Sequence, residues 1–149
     1  MNDLFAVLYE VTFGIYSEDY RVIFNTLFNE SGYTYLGLSF ILPPLIMFII
    51  FYYVWTYPYG KLWHWVIWLF LCSLLTLGLT WALSNELIFN SSNNQLIDLI
   101  ANPQSGYEDY ALTLPLKYAF WNAGLSLILG VLLSLVLKQF SKVQIHLPI

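Results

Sequence analysis

Three long stretches of this chain carry no charged residue: 31–60, 62–85 and 118–137. A helix needs roughly 20 mostly apolar residues to cross the hydrocarbon core of a bilayer. Each stretch therefore predicts one transmembrane helix, at residues 35–56, 62–85 and 116–138. Because backbone polar groups in lipid must be satisfied within the protein, the predicted fold is an all-α integral membrane protein.

The composition leaves little room for a separate soluble domain. Of the 149 residues, 59% are hydrophobic and 9% are charged, whereas soluble domains usually carry about 25% charged residues. We therefore expect a single membrane domain over residues 1–149. Cys72 is the one cysteine and falls inside the second span, which excludes a disulfide within one chain and predicts an apolar packing role.

Spans one and two are joined by residues 57–60, whose sequence Tyr-Pro-Tyr-Gly is typical of a tight turn. So short a connection makes the two helices antiparallel neighbours. The turn is surrounded by aromatic side chains of the kind that collect at the membrane–water interface. These are Tyr52, Tyr53, Trp55, Tyr57, Tyr59, Trp63, Trp65 and Trp68.

The distribution of lysine and arginine predicts the orientation of the protein. Lys61, Lys138 and Lys142 belong to one side of the membrane, and Arg21 and Lys117 belong to the other. Because cytoplasmic segments carry the excess of basic residues, we expect an extracytoplasmic N-terminus and a cytoplasmic C-terminus. The location that we expect is a bacterial inner membrane.

Residues 1–30 are predicted to form two short amphipathic helices on the extracytoplasmic side. The first, residues 3–16, would use Asn2 as its N-cap, and the second would cover residues 18–29. Both helices are acidic, so we expect them to dock on protein rather than on anionic lipid. The first repeats apolar side chains at helical spacing, namely Leu4, Val7, Leu8, Val11 and Ile15.

The extracytoplasmic loop, residues 89–114, is predicted to contain a third amphipathic helix. Asn93 or Asn94 would cap this helix, which should end before Pro103. Glu86, just before the loop, is the acid nearest the bilayer interior. Ionisable groups at membrane depth are functional candidates, but its position near the interface favours a snorkelling or capping role.

Small and hydroxyl side chains form one stripe on each of the last two spans. At 100° per residue the members of each stripe share one helix face, and such faces let helix backbones approach closely in lipid. Three interpretations stay open: the two stripes face each other in one protomer, one or both face a neighbouring subunit, or the hydroxyl stripe of the second span lines a water-filled path. They comprise Ser73, Thr76, Thr80 and Ser84 in the second span and Ala119, Ala123, Ser126, Gly130 and Ser134 in the third.

Pro43 and Pro44 predict a kink in the first span. Each proline lacks a backbone N–H, so the carbonyl groups of Ser39 and Phe40 lose their usual helical donors. In hydrocarbon these carbonyls must be satisfied by protein or water. We therefore expect neighbouring helices to pack around the kink.

Residues that usually carry catalysis or ligand binding are missing or scattered. Two histidines and one cysteine in different segments do not match a zinc site, and the chain contains no common nucleotide-binding or hydrolase motif. Five dispersed basic residues disfavour nucleic-acid binding. We predict no catalytic residue, no cofactor and no metal, and a protein that is not an enzyme.

Three helices shield few polar groups from lipid, which favours a non-enzymatic subunit of a larger homo- or hetero-oligomeric membrane assembly. Its partners would be bilayer lipids and other membrane subunits, identical or different. A first alternative is an oligomeric channel. The predicted topology resembles that of some phage holins, which implies a pore, here lined by the hydroxyl face of the second span. A second alternative is an accessory regulator of a membrane enzyme or transporter.

Overall fold

The computed structural model describes residues 1–13, 20–54 and 61–141, and every regular element in these ranges is helical. Three of the helices are long and apolar enough to cross a membrane. The prediction of an all-α, multi-pass membrane protein is therefore confirmed. The α-helices in chain order are α1 Asn2–Phe13, α2 Arg21–Asn29, α3 Gly32–Tyr53, α4 Leu62–Phe89, α5 Asn94–Ala101 and α6 Tyr107–Phe140.

The helix bounds differ from the predicted spans mainly at α6. This helix has 34 residues and begins at Tyr107 rather than at residue 116. Gly106 ends the preceding turn with φ 70°, a left-handed conformation that suits glycine. Glu108 and Asp109 in the first turn favour a helix start, so the last part of the predicted loop is helical instead.

The first span, α3, is one unbroken helix through Pro43 and Pro44, and both prolines are buried. The kink that we expect there stays a prediction. The tight turn predicted at residues 57–60 lies outside the described residues, as do residues 14–19 and Lys142.

The three long helices form a bundle in which each contacts the other two. The hydroxyls of Ser39 and Thr80 are 2.8 Å apart, and Trp68 Nε1 donates to the Met47 carbonyl at 2.8 Å. Later residues of α3 thus meet earlier residues of α4, so these two helices are antiparallel. α6 runs in the direction of α3.

The short helices α1, α2 and α5 pack around the N-terminal ends of α3 and α6. We call this end of the bundle the cap side. Its buried apolar cluster draws on the short helices and on the long ones, whereas the opposite end has a smaller cluster of Phe48, Phe51, Tyr52, Trp65 and Cys72. The cap-side cluster contains Phe5, Ala6, Tyr9, Ile23, Leu27, Tyr33, Leu36, Ile88, Leu96, Tyr107, Ala111, Leu114 and Tyr118.

Asn2 does not serve as the predicted N-cap of α1. It is the first residue of the helix, and its side chain makes tertiary contacts instead. Asn2 Nδ2 donates to the Phe28 carbonyl at 2.7 Å, and Oδ1 accepts from the backbone N–H of Thr34 at 3.2 Å. These bonds tie the start of α1 to the end of α2 and the start of α3.

The face of α1 that packs on the bundle is aromatic and small rather than aliphatic. Phe5 and Tyr9 are buried, whereas Leu4, Val7 and Val11 are 71%, 61% and 74% exposed. Phe5 lies against Gly37 of α3, where the absence of a side chain makes room for its ring. Most of the described aliphatic stripe of α1 therefore faces outward, although Leu8 packs against the cap-side cluster.

α5 begins where the sequence predicts. Asn93 is its N-cap, and its Oδ1 accepts from the backbone N–H of Gln95 at 3.0 Å. The Asn93 amide also donates to Thr26 Oγ1 at 2.8 Å. One asparagine thus starts α5 and joins it to α2.

Candidate functional site

The most polar part of the bundle interior is centred on Asn122 of α6. Asn122 Nδ2 donates to the Leu36 carbonyl at 2.9 Å and lies 3.1 and 3.2 Å from the hydroxyls of Ser39 and Thr80. Its Oδ1 accepts from the Tyr9 hydroxyl at 2.7 Å. Side chains from α1, α3, α4 and α6 therefore meet at one buried point, which we call the Asn122 network.

The Asn122 network is a structural site rather than a reactive one. Its members are an amide, two aliphatic hydroxyls and the phenol of Tyr9, whose pKa is raised by burial and lowered to a smaller extent by the bond to Asn122. Polar groups in a dry interior cost free energy unless they are paired. The network satisfies all of them and so favours one arrangement of the four helices.

Both predicted stripes of small and hydroxyl side chains lie between helices of the same protomer. Gly130 illustrates how closely the helices approach: a Cβ there would lie 2.7 Å from Leu69 Cδ1 and 2.9 Å from Phe48 Cε2. Ser73 is partly buried. The other stripe residues are buried, namely Thr76, Thr80, Ser84, Ala119, Ala123, Ser126, Gly130 and Ser134.

Several stripe hydroxyls form hydrogen bonds within the protomer. Ser84 donates to the Thr80 carbonyl of its own helix at 2.6 Å, and Ser134 accepts from Trp65 Nε1 at 2.7 Å. A hydroxyl that bonds its own helix or a neighbouring helix of the same chain needs no further partner. The hydroxyl stripe of α4 therefore faces the interior of the described protomer.

The outward face of α4 carries a second set of small residues, which the sequence analysis missed. A Cβ on Gly78 would meet nothing within 4 Å, and Ala82, one turn further along this face, is exposed. Leu74 and Trp81 beside them are 60% and 52% exposed. The missed signal is the Gly-x-x-x-Ala spacing, a pattern that lets transmembrane helices approach closely.

Exposed tyrosine and tryptophan side chains mark two levels of the bundle. Tyr35 and Tyr53 on α3 are 53% and 45% exposed, and Trp81 and Trp63 on α4 are 52% and 68% exposed. At 1.5 Å per residue each pair is separated by about 27 Å along its helix. This is close to the roughly 30 Å thickness of the hydrocarbon core, so the levels match the two interfaces that such rings prefer.

Two carboxylates near the end of α4, those of Glu86 and Glu30, accept hydrogen bonds from backbone and side-chain donors. Asn90 Nδ2 donates to Glu86 Oε2 at 2.8 Å, and Glu30 Oε1 accepts from the N–H and hydroxyl of Ser92 at 2.9 and 2.6 Å. Within the described residues no group of three histidine, cysteine or acidic side chains could hold a metal ion. These carboxylates join α2 and α4 to the loop before α5.

Neither a family model nor a curated protein nor a solved structure matches this chain. The fold defines the class on its own. The protein is a multi-pass membrane protein with three long apolar helices and short helices packed at one end.

Proposed function

We propose that this protein is a non-enzymatic subunit of a larger membrane assembly, homo-oligomeric or mixed. The observation that carries the proposal is the open Gly78 and Ala82 face of α4. α4 is also the least enclosed of the long helices, since 17% of its most apolar segment is buried, against 39% for α3 and 28% for α6. Apolar contact alone does not drive helix association in lipid, whereas close approach through small residues does.

The closed interior favours an assembly subunit over a pore. Thr76 and Thr80 are fully buried between helices of one protomer. For their face to line a lumen, as the channel alternative requires, α4 would have to separate from α3 and α6. That separation would also break the Asn122 network, in which Thr80 takes part.

A pair of glycine substitutions tests the assembly proposal. Gly78 and Gly124 both lie within long helices, and an added Cβ would meet nothing within 4 Å at either position. Only Gly78 has a second small residue one turn further along the same outward face. Gly78→Leu should therefore shift the population towards free protomer by about tenfold, and Gly124→Leu should leave it unchanged.

The measurement is blue-native electrophoresis together with mass photometry in mild detergent, at native expression levels. The wild-type protein should run well above its 17.3 kDa protomer mass. A lone wild-type protomer, or equal behaviour of the two leucine variants, would contradict the proposal. Co-purification followed by mass spectrometry then identifies the subunits and separates a structural role from that of an accessory regulator.

The channel alternative has its own test. Expression should leave growth and membrane potential unchanged if the protein is an assembly subunit. Growth arrest with loss of membrane potential, together with conductance in reconstituted vesicles, would favour the pore instead.

A further inference from the structure

A groove of about 460 Å³ lies between α3 and α4, next to the face of α4 that carries Gly78. Its walls are almost entirely aliphatic. α3 contributes Leu42, Pro43 and Ile46, and α4 contributes residues such as Leu79 and Leu83. The groove opens to the outside of the bundle at the depth of the membrane.

The depth of the groove matches one leaflet of a bilayer. Along α3 the groove extends from Tyr35, at the cap-side aromatic level, to Met47, a distance of about 18 Å at 1.5 Å per residue. Half of the hydrocarbon core is about 15 Å. A partner helix would need a groove across the whole core, whereas one lipid acyl chain needs the depth of one leaflet.

The mouth of the groove carries an acid and a hydroxyl. Glu86 follows Leu79 and Leu83 at helical spacing, so it lies one turn beyond the groove on the same face of α4, and it is exposed. Asn90 Nδ2 donates a hydrogen bond to Glu86 Oε2, and no described residue donates one to Glu86 Oε1. Tyr35, at the mouth on α3, is 53% exposed.

The charges at the mouth select between lipid head groups. No lysine or arginine lines the groove, so a head group with only negative charge would meet the Glu86 carboxylate unopposed. A head group that carries an ammonium would instead pair with this carboxylate. The Tyr35 hydroxyl is a suitable donor to the adjacent phosphate.

We propose that the α3–α4 groove binds one acyl chain of a cap-side-leaflet phospholipid with a primary ammonium in its head group, phosphatidylethanolamine. Glu86 Oε1 accepts from the ammonium, and the Tyr35 hydroxyl donates to the phosphate. Neither Gly78 nor Ala82 lines the groove, and the lipid proposal does not depend on the assembly proposal.

Native mass spectrometry of the full-length protein tests this site, with phosphatidylethanolamine, phosphatidylcholine and phosphatidylglycerol offered in equal amounts. Leu79→Trp fills the groove and should lower phosphatidylethanolamine retention about tenfold. The matched control is Leu74→Trp, because Leu74 is 60% exposed on the outward face of the same helix. Leu74→Trp should retain lipid like the wild type. Ile46→Trp fills the groove from α3 and gives the same expectation if Leu79→Trp folds poorly by circular dichroism.

Glu86→Gln separates the head-group contact from the acyl-chain contact. It should keep the retained lipid but reduce the preference for phosphatidylethanolamine over phosphatidylglycerol by about fivefold, as expected for one exposed charge pair. Equal retention in Leu79→Trp and Leu74→Trp would mean unspecific lipid at the surface and overturn the proposal. No head-group preference in the wild type would overturn the role of Glu86. Disulfide-linked dimers of Ile46→Cys, in the α3 wall of the groove, would show that a second copy occupies the groove, which also overturns it.

Discussion

The cap-side half of the bundle is joined by one buried network centred on a single side chain, whereas the opposite half is joined by separate hydrogen bonds between pairs of helices. In the cap-side half, the single side chain of Asn122 forms hydrogen bonds with polar groups of α1, α3 and α4. In the opposite half, Trp68 Nε1 donates to the Met47 carbonyl, Trp65 Nε1 donates to Ser134 Oγ, and Ser141 Oγ donates to the Tyr52 carbonyl. Each of these bonds joins only two segments. Both halves consist of the same three long helices, so the difference lies in the side chains between them.

This difference bears on how a small membrane protein holds one arrangement of helices. Lipid tails are as apolar as leucine, so helices in a bilayer are held together by hydrogen bonds and close packing rather than by apolar contact alone. A side chain that bonds three helices at once loses more when it is removed than one that bonds a single neighbour. A buried amide or hydroxyl loses several favourable interactions when its partners move away. We therefore expect the cap-side half to define the arrangement of the helices and the opposite half to tolerate substitution better.

Asn122→Leu should have the largest effect, because it breaks the cap-side network at its centre. The substitution leaves the buried Tyr9 hydroxyl without its acceptor and should lower the free energy of unfolding by about 2–4 kcal/mol. Unfolding in mixed SDS micelles, followed by far-UV circular dichroism, measures this change. The Tyr9→Phe variant has no phenol that could lose its hydrogen-bond partner. In that variant, Asn122→Leu should therefore lower the free energy of unfolding by about 1 kcal/mol less than it does in the wild type. A loss below about 0.5 kcal/mol for the single variant would mean that the network does not hold the helices together.

Gly130→Ala should have an intermediate effect, through packing alone. The new Cβ would lie 2.7 Å from Leu69 Cδ1 and 2.9 Å from Phe48 Cε2, and such overpacking typically costs about 1–3 kcal/mol. Gly124→Ala is the control, since its Cβ meets nothing within 4 Å and alanine favours helix by about 1 kcal/mol over glycine. The two variants should therefore shift the unfolding free energy in opposite directions. Equal shifts would show that the helices do not approach closely at Gly130.

Trp65→Phe should have the smallest effect and sharpens the contrast between the two halves. It removes the 2.7 Å bond to Ser134 Oγ but leaves an aromatic ring, so the loss should be about 0.6 kcal/mol and at most about 1.7 kcal/mol. Trp63→Phe, at a position that is 68% exposed, should change the unfolding free energy less still. If Trp65→Phe proved as costly as Asn122→Leu, the two halves would not differ in the way that we infer.

Individual residues show which features were predictable from local sequence. Asn93 caps α5 as expected, because the bond from its side chain to Gln95 spans only two residues. Asn2 was expected to act in the same way, but it bonds Phe28 and Thr34 instead. The residue type is the same, and only the position of distant chain segments makes the difference.

The candidate site was less predictable than the spans. Asn122 looks like a single amide near the end of an apolar segment, and nothing in its neighbours points to Tyr9, 113 positions away. Gly78 and Ala82 have the same small-residue spacing as the buried stripes, so spacing alone cannot assign them to the outside of the bundle. The start of α6 at Tyr107 was missed because Glu108 and Asp109 are typical of a loop as well as of a first helical turn.

The uncharged stretches by themselves determined that this protein is helical, with three helices long and apolar enough to cross a membrane. The reason is that hydrocarbon excludes charge and forces the backbone to bond within each segment. Only the tertiary structure decided which side of each helix faces inward, where α1 packs, and that the hydroxyls of α4 meet α6 in the same protomer. These features depend on pairs of residues far apart in the chain, whose energies arise only once the helices are in contact.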